Sequence, residues 1–258
     1  MTKRTAVILA GSDGLGFASA QCLGDGGRRV VLFSRSEEKL EKAKGKLAER
    51  GIEAHAVSGD LRSPVDVDRL FSFVEGRFGG TDILVNNSGG PRPGTLLELE
   101  EADWMNAFEE QALSLIFGIK RVVPRMRAQK WGRIITIASI SVKSPIESLD
   151  LSNFMRCGLA SVHRTLAREL AKDDVNVHMV LPGSIMTERT RFLVQSRAEK
   201  TKISFEDALA GSMAKIPKGR LGKPEDVGNV VAFLASEQAD YLTGNFIRVD
   251  GGTYAGYD

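Results

Sequence analysis

The chain has 258 residues, of which 42% are hydrophobic and 26% are charged. These proportions are ordinary for a globular protein, so they exclude disordered, collagen-like and coiled-coil chains, and the length suits a single α/β domain. The 35 basic and 33 acidic residues leave a net charge of only +2, which is too balanced for a protein that binds nucleic acid through its phosphates.

No apolar run reaches the roughly 18 residues that a membrane-spanning helix needs, and the chain enters a strand-like run at once, without a signal-peptide core. The two cysteines, Cys22 and Cys157, lie far apart, and no histidine stands near either at ligand spacing. This spacing argues against both a disulfide framework and a metal site. We therefore expect a cytoplasmic protein that binds neither metal, membrane nor nucleic acid.

Short apolar runs alternate with longer stretches of helical spacing along the chain. The runs predict seven buried strands: Thr5–Ala10, Val30–Phe33, Ala54–Ser58, Ile83–Asn86, Ile134–Ala138, Val175–Val180 and Phe246–Val249. Because strands and helices alternate, the pattern indicates an α/β fold with one Rossmann-type, doubly wound, mostly parallel sheet and helices on both faces. No linker or repeat divides the chain, so residues 1–258 are expected to form one domain.

One segment, residues 188–222, departs from this alternation before Pro224 opens a further helix. We expect it to be a mobile substrate lid that favours an anionic group. The alternative is a solvated basic helix face, since scattered surface cations are common. The cations concerned are Arg189, Arg191, Arg197, Lys200 and Lys202.

A glycine-rich turn follows the first strand directly and opens a helix. Its glycines allow a tight turn, so that a pyrophosphate can approach the free N–H groups at the start of the helix. In this context the pattern predicts dinucleotide binding. The residues concerned are Gly11, Ser12, Asp13, Gly14, Leu15 and Gly16.

The end of the second strand bears on the choice of dinucleotide. Ser34 stands where a carboxylate would bind the ribose diol of NAD, and Arg35 follows it. A guanidinium at this point suits a 2′-phosphate, so NADP(H) is expected to be preferred, with NAD(H) possible. The alternative is that Arg35 is a solvated residue at the start of a helix.

Together these motifs resemble the short-chain dehydrogenase/reductase family, in particular its 3-oxoacyl-carrier-protein reductases, and the resemblance covers nearly all of the chain. Asp60 resembles the family's adenine-contacting aspartate, and Asn87-Ser88-Gly89 resembles its Asn-Ala-Gly run. Pro182, Gly183 and Thr187 resemble the stretch that holds the nicotinamide carboxamide. The resemblance therefore implies cofactor contacts by Asp60, Leu61, Asn87, Ser88, Gly89, Arg156, Pro182, Gly183, Ile185 and Thr187.

The catalytic positions depart from the family's pattern. Ser139 matches the active-site serine, but the family's tyrosine, its lysine four positions later and its asparagine on an earlier helix correspond here to Ser152, Arg156 and Gln111. None of the three tyrosines is followed by a lysine at four. A serine hydroxyl ionises far less readily than a phenol, and an arginine keeps the positive charge but does not pass protons onward.

The loss of a positioned general acid lowers a rate by about 10²–10⁴-fold. Glu147 or Asp150 is one possible replacement, because a buried carboxylic acid with a raised pKa donates a proton at neutral pH. The preferred interpretation is that both are solvated loop or helix-capping groups. Cys157 is expected to be a packing residue, and His163 an interface or packing residue.

Two functions remain open. The first is an NADP(H)-dependent oxidoreductase that acts on a small carbonyl or alcohol substrate with a non-standard proton donor. The second is a catalytically degenerate protein of the same fold that binds the dinucleotide as a regulator or an inactive subunit. The resemblance also implies a homo-oligomer, a tetramer or a dimer, through apolar stripes on predicted helices 101–129 and 151–172, which include Leu113, Phe117, Leu159 and Val162.

Overall fold

A computed structural model describes residues 3–257 and contains one seven-stranded sheet within that range. The strands are β1 (Thr5–Leu9), β2 (Arg29–Ser34), β3 (Ala54–Ser58), β4 (Ile83–Asn86), β5 (Gly132–Ile137), β6 (Val175–Pro182) and β7 (Phe246–Val249). Their order across the sheet is β3-β2-β1-β4-β5-β6-β7, and every neighbouring pair is parallel. The predicted fold class is thus confirmed, and the sheet is parallel throughout.

Helices connect the strands and cover both faces of the sheet. They are α1 (Gly14–Asp25), α2 (Glu37–Ala48), α3 (Pro64–Phe78), α4 (Glu101–Ala107), α5 (Ser114–Ala128), α6 (Asp150–Leu170), α7 (Glu188–Thr201), α8 (Phe205–Met213) and α9 (Pro224–Leu234). Local signals explain several of the boundaries. Helix α3, for example, begins where the Ser63 side chain accepts a hydrogen bond from Asp66 N, with Pro64 in its first turn.

Two hydrophobic cores lie on the two faces of the sheet, because successive side chains of a strand point to opposite sides. In β1, Val7 and Leu9 belong to one core, and Ala6 and Ile8 belong to the other. All five residues of this strand are buried, as expected for a parallel strand covered by helices on both faces. None of the helices in the described part of the chain is long and apolar enough to cross a membrane.

The order of the strands decides where a ligand can bind. The chain runs outward in one direction from β1 to β3 and in the other from β4 to β7, so β1 and β4 flank the point at which the winding reverses. In parallel α/β sheets, a ligand cleft opens at this point, beyond the carboxyl ends of the strands. The predicted site residues follow β1, β2, β3, β4, β5 and β6 at this edge.

The segment at residues 188–222 interrupts the alternation of strands and helices, as the sequence predicted, because two helices follow each other there. It contains α7 and α8, which pack on each other through Val194, Ala198 and Ala208. Helix α7 buries only two of its 14 residues, and half of the other twelve are charged. So narrow an apolar stripe gives little helical periodicity in the sequence. The mobility of this segment stays a prediction.

Candidate active site

The turn between β1 and α1 lies at the point where the winding of the sheet reverses. Gly14 has a φ of +53°, and Ala10, just after β1, also has a left-handed φ of +46°. Packing requires a glycine at position 16, because a Cβ there would lie 2.3 Å from the carbonyl oxygen of Ala10. Across the reversal point, Asn87 Nδ2 donates a hydrogen bond to the same oxygen at 3.3 Å. The turn is therefore held tightly between α1 and the end of β4.

The side chains of the turn already have local partners. Asp13 caps α1 by accepting a hydrogen bond from Gly14 N at 2.7 Å, and Lys39 Nζ lies 3.8 Å from its carboxylate. Ser12 Oγ donates to Ser34 Oγ at 2.9 Å, which joins the turn to the end of β2. Leu15 packs against the core on its side of the sheet. The turn and the end of β2 thus form one connected surface.

Two arginines stand at the outer end of this surface. Arg35 is exposed, and Arg62 forms a bidentate ion pair with Asp60, the shorter contact being 2.7 Å. The Arg62 guanidinium holds the pKa of Asp60 below its usual range, with a smaller contribution from Arg35. Leu61 between them is buried. Arg62 was not among the predicted site residues, although its position two residues after Asp60 was the available signal.

The end of β6 brings a second segment to the turn. Pro182 closes the strand, Gly183 and Ile185 lead away from it, and Thr187 caps α7 by accepting a hydrogen bond from Thr190 N at 3.2 Å. A Cβ added at Gly14 would lie 3.7 Å from a Thr187 side-chain carbon. The start of α7 therefore borders the glycine turn.

Gln111 occupies an unusual piece of backbone. The predicted continuous helix 101–129 is interrupted by a π-helical stretch, Phe108–Leu113, between α4 and α5. π-Helical turns occur frequently at functional sites, because the wider turn re-aims a side chain. Gln111 is 1% exposed, its Nε2 donates to Gly89 O at 3.4 Å, and its Oε1 has no hydrogen-bond partner among the described residues. Ser88, beside Gly89, is half-buried.

Ser139, Ser152 and Arg156 come from β5 and the adjoining helix. Ser139 follows β5, and its Oγ accepts a hydrogen bond from Ser141 N at 3.1 Å. Ser152 is buried in the first turn of α6, and Arg156, one turn later, donates from Nε to Ser152 Oγ at 2.9 Å. Arg156 also donates to Ile137 O at 3.3 Å, which anchors its guanidinium to the end of β5.

Burial is the main cause of a lowered pKa at Arg156. Together with the positive charge of Arg189, it lowers the pKa of Arg156 to about 10, so this group stays cationic at neutral pH. Arg189, in the first turn of α7, donates a hydrogen bond to Pro91 O. Burial also lowers the pKa of Arg189, and the charge of Glu110 opposes this effect. The positive charge of Arg189 thus acts on the Arg156 guanidinium.

Arg189 differs from the other cations of the predicted lid. It is half-buried, and a Cβ at Gly90 would lie 2.8 Å from its Nε, so its guanidinium packs on that backbone. The remaining four cations are exposed, which agrees with the alternative of a solvated basic helix face. They are Arg191, Arg197, Lys200 and Lys202. The partial burial of Arg189 was not predicted, because no local sequence signal separates this arginine from its neighbours.

The two candidate replacement acids are not buried in the cleft. Glu147 is exposed. Asp150 Oδ2 accepts a hydrogen bond from Leu96 N at 2.8 Å, so this carboxylate joins the loop between β4 and α4 to the start of α6. Both positions fit the preferred interpretation of loop or helix-end groups.

Other expectations for α6 need correction. Cys157 is exposed, so it is not a packing residue, and Leu159 is buried in the core of its own chain, which removes it from any subunit contact. Val162 is 45% exposed and remains available for such a contact. His163 is fully buried, and its ring contacts the Thr136 hydroxyl, so of its two expected roles the packing role applies and the interface role does not.

Comparisons with known proteins agree with this architecture. Residues 9–254 match a family model described as enoyl-(acyl carrier protein) reductase. The chain is 33% identical to the 3-oxoacyl-[acyl-carrier-protein] reductase FabG of Escherichia coli, over 97% of both chains. It is 31% identical to the NADPH-dependent reductase BacG of Bacillus subtilis, over 98% of both chains.

Solved structures of similar proteins also match nearly the whole chain. The L-sorbose reductase of Gluconobacter frateurii, complexed with NADPH and L-sorbose, superposes with a TM-score of 0.93 at 31% identity, over 99% of this chain and 98% of that one. An actinorhodin polyketide ketoreductase with NADPH superposes with a TM-score of 0.94 at 29% identity, over 97% of both chains. The fold, the strand order and the near-complete coverage lead to one conclusion: the chain belongs to the short-chain dehydrogenase/reductase family.

Proposed function

We propose that this protein is an NADP(H)-dependent oxidoreductase that acts on a small carbonyl or alcohol substrate without a tyrosine as proton donor. The observation that carries the proposal is the tight approach of α1 to β1 at Gly16, beside Asn87, at the reversal point of the sheet. In folds of this type, such a close approach of helix to strand brings the N–H groups at the start of the helix to the place where a pyrophosphate binds. The relatives named above that use or contain NADPH support the choice of cofactor.

The proposed cofactor residues follow the cleft from one end to the other. The glycine turn would hold the pyrophosphate, and the ends of β4 and β6 would hold the nicotinamide half. Arg156 would contact the nicotinamide ribose. The full set is Gly11, Ser12, Asp13, Gly14, Leu15, Gly16, Ser34, Arg35, Asp60, Leu61, Asn87, Ser88, Gly89, Arg156, Pro182, Gly183, Ile185 and Thr187.

The 2′-phosphate would lie between the cations at the outer end of the cleft. Arg35 is exposed and has its guanidinium charge available, whereas Arg62 is already paired with Asp60. Ser12 and Ser34 add hydroxyl groups at the same place. A phosphate gains charge-assisted hydrogen bonds from such a set, while a bare ribose diol gains little.

The proposed chemistry depends on Ser139, Ser152 and Arg156. When bound, NADPH supplies the hydride. Because Arg156 Nε donates to Ser152 Oγ, the Ser152 hydroxyl is free to donate its own proton in another direction. The Ser139 hydroxyl and the Arg156 cation would stabilise the negative charge that develops on a carbonyl oxygen. The buried Gln111 would position the Gly89 backbone through its hydrogen bond.

The alternative is that the protein binds the dinucleotide without turnover, as a regulator or an inactive subunit. The specific observation in its favour is that Ser152 stands in place of the tyrosine, because a serine hydroxyl ionises far less readily than a phenol and Arg156 donates a hydrogen bond to it. Titration with NADPH, followed by challenge with a panel of ketones and aldehydes, separates the two functions. Consumption of NADPH supports the reductase, binding without consumption supports the alternative, and absence of binding contradicts both.

We also propose that the chain is a single domain and that it assembles as a homodimer or homotetramer. One sheet carries both hydrophobic cores, which argues for a single folding unit. Helix α6 has the exposed Val162 and a shallow apolar groove lined by Val142, Ala160 and Phe246. Light scattering at micromolar concentration tests the assembly, since a species of 28.0 kDa would be a monomer and would contradict it.

A further inference from the structure

Lys39 joins three segments at the proposed cofactor site. It lies in the first turn of α2, where its backbone N–H donates a hydrogen bond to Ser36 Oγ at 3.2 Å. Its ammonium lies 3.8 Å from Asp13 Oδ2, in the glycine turn, and 3.5 Å from Glu188 Oε2, in the first turn of α7. One side chain thus connects the glycine turn, the start of α2 and the start of α7.

The contacts of the neighbouring residues place this ammonium beside the proposed position of the 2′-phosphate. Asp13 follows Ser12 in the glycine turn. The Ser12 hydroxyl donates to Ser34 Oγ at 2.9 Å, which brings the turn to the end of β2. Ser34 and Arg35 are proposed to contact the 2′-phosphate, so Lys39 is a second cation at that place.

The two ion pairs of Lys39 are long and open to solvent. A charge-assisted hydrogen bond from an ammonium to a carboxylate is about 2.7–2.9 Å long, and both contacts are longer than this. The exposed fractions of the side chains are 55% for Lys39, 53% for Asp13 and 76% for Glu188. Because water and salt screen exposed charges, such pairs hold their partners weakly. A bound anion can therefore replace a carboxylate at this ammonium.

Arg62, a paired cation at the same end of the site, provides the contrast. Its Nε lies 3.2 Å from Asp60 Oδ1 and its terminal nitrogen lies 2.7 Å from Asp60 Oδ2, so the two side chains form a bidentate pair. Bidentate pairs of this kind are strong and fix the orientation of both groups. Exchange of partners is therefore expected at Lys39 and not at Arg62.

The 2′-phosphate is the group that distinguishes NADP(H) from NAD(H), and it suits this ammonium. A phosphate monoester carries a charge of about −1.5 to −2 at neutral pH, whereas a carboxylate carries a single charge. Lysine is a common phosphate ligand for this reason. The ribose hydroxyl of NAD(H) at the same position is neutral and does not compete with a carboxylate for the ammonium.

We propose that Lys39 contributes to cofactor selectivity by exchanging partners: the 2′-phosphate of NADP(H) displaces Glu188 from the Lys39 ammonium, whereas NAD(H) leaves this ion pair in place. Glu188 therefore competes with the phosphate and weakens the preference for NADP(H). Asp13 is held at the start of α1 by its hydrogen bond from Gly14 N, and it keeps the ammonium near the site. This inference rests on the proposed oxidoreductase function and concerns how its cofactor is selected.

The test compares the affinities for NADPH and NADH, measured by calorimetry, as a ratio. The variants are Lys39→Met, Lys39→Gln, Glu188→Gln and the double variant Lys39→Met, Glu188→Gln. The matched controls are Lys42→Met, at an exposed lysine of the same helix, and Glu38→Gln, at an exposed carboxylate next to Lys39 in the chain. Lys39→Gln keeps the test valid if Lys39→Met does not fold.

In both Lys39 variants, NADPH affinity should fall about tenfold and NADH affinity should stay within about twofold, as expected for the loss of an exposed charged partner of the phosphate. In Glu188→Gln, the ratio should shift about two- to fivefold toward NADPH, because a competing surface ion pair is removed. This shift should disappear in the double variant, since the ammonium for which Glu188 competes is then missing. Both controls should keep the wild-type ratio within about twofold, because surface charges without a direct contact have small effects.

Any of three results overturns the inference. The first is an unchanged ratio in both Lys39 variants, and the second is a ratio in Glu188→Gln equal to that in Glu38→Gln. The third is a shift toward NADPH that persists in the double variant, which would show that Glu188 repels the cofactor directly. In each of these cases the wild-type protein binds NADPH and the proposed function stands. Failure of the wild-type protein to bind NADPH contradicts the proposed function and this inference together.

Discussion

Replacing Gly16 with alanine is expected to disrupt the turn that holds the cofactor. The new Cβ would lie 2.3 Å from Ala10 O and 2.9 Å from Asn87 Nδ2, whereas ordinary contacts begin at 3.4 Å. The chain must therefore open by about 1 Å at this point. Ala10 already has a left-handed φ of +46°, which leaves its carbonyl little freedom to move away.

The magnitude follows from three contributions. Overpacking at a tight contact costs about 1–3 kcal/mol, and breaking the hydrogen bond from Asn87 to Ala10 O costs about 1 kcal/mol more. The higher helix propensity of alanine offsets about 1 kcal/mol of this destabilisation. The net loss of unfolding free energy is about 1–3 kcal/mol, and NADPH affinity should fall by about tenfold or more, because the displaced turn no longer matches the pyrophosphate.

Urea unfolding and calorimetry with NADPH measure the two effects. Gly45→Ala is the matched control, since a Cβ at this helical position in α2 meets nothing within 4 Å. This control should gain about 1 kcal/mol of stability and bind NADPH as the wild type does. The reasoning is refuted if Gly16→Ala is as stable as the control and binds NADPH with unchanged affinity.

Three further predictions concern the cofactor, the chemistry and the dependence on pH. Arg35→Ala should weaken NADPH binding by about 10–100-fold and leave NADH binding unchanged; calorimetry checks this, and equal losses for both would contradict it. The double variant Ser152→Tyr, Arg156→Lys should raise the rate of ketone reduction by up to about 10²–10⁴-fold, because it restores a proton donor. A wild-type turnover near ~10 s⁻¹ would show that no proton donor is missing. Burial lowers the pKa of His178 from 6.5 to about 4, so the stability due to its neutral ring is complete above about pH 6.5 and is lost as the pH falls toward 4. In His178→Gln, the urea midpoint of unfolding should therefore depend less on pH over that interval. An unchanged pH dependence would show that His178 is not responsible.

The sequence alone was enough to predict the strands of the sheet and where the candidate site residues stand along the chain. All seven strands occur where apolar runs predicted them, with ends that differ by two residues at most, because burial on both faces of a parallel sheet demands a continuous apolar run. The turn from Gly11 to Gly16 was likewise readable, since it combines a local backbone requirement with its place after the first strand. Ser139, Ser152 and Arg156 could be placed by counting, because a shared fold preserves spacing.

Tertiary structure alone decided which of these groups are buried and which partners they have. Arg189 and Arg191 are indistinguishable in the sequence, yet Arg189 packs against Gly90 while Arg191 is exposed. The π-helical stretch around Gln111 has no sequence pattern of its own, because it depends on how α4 and α5 fit their neighbours. Burial and charge pairing depend on the approach of segments far apart in the chain, which local periodicity does not encode.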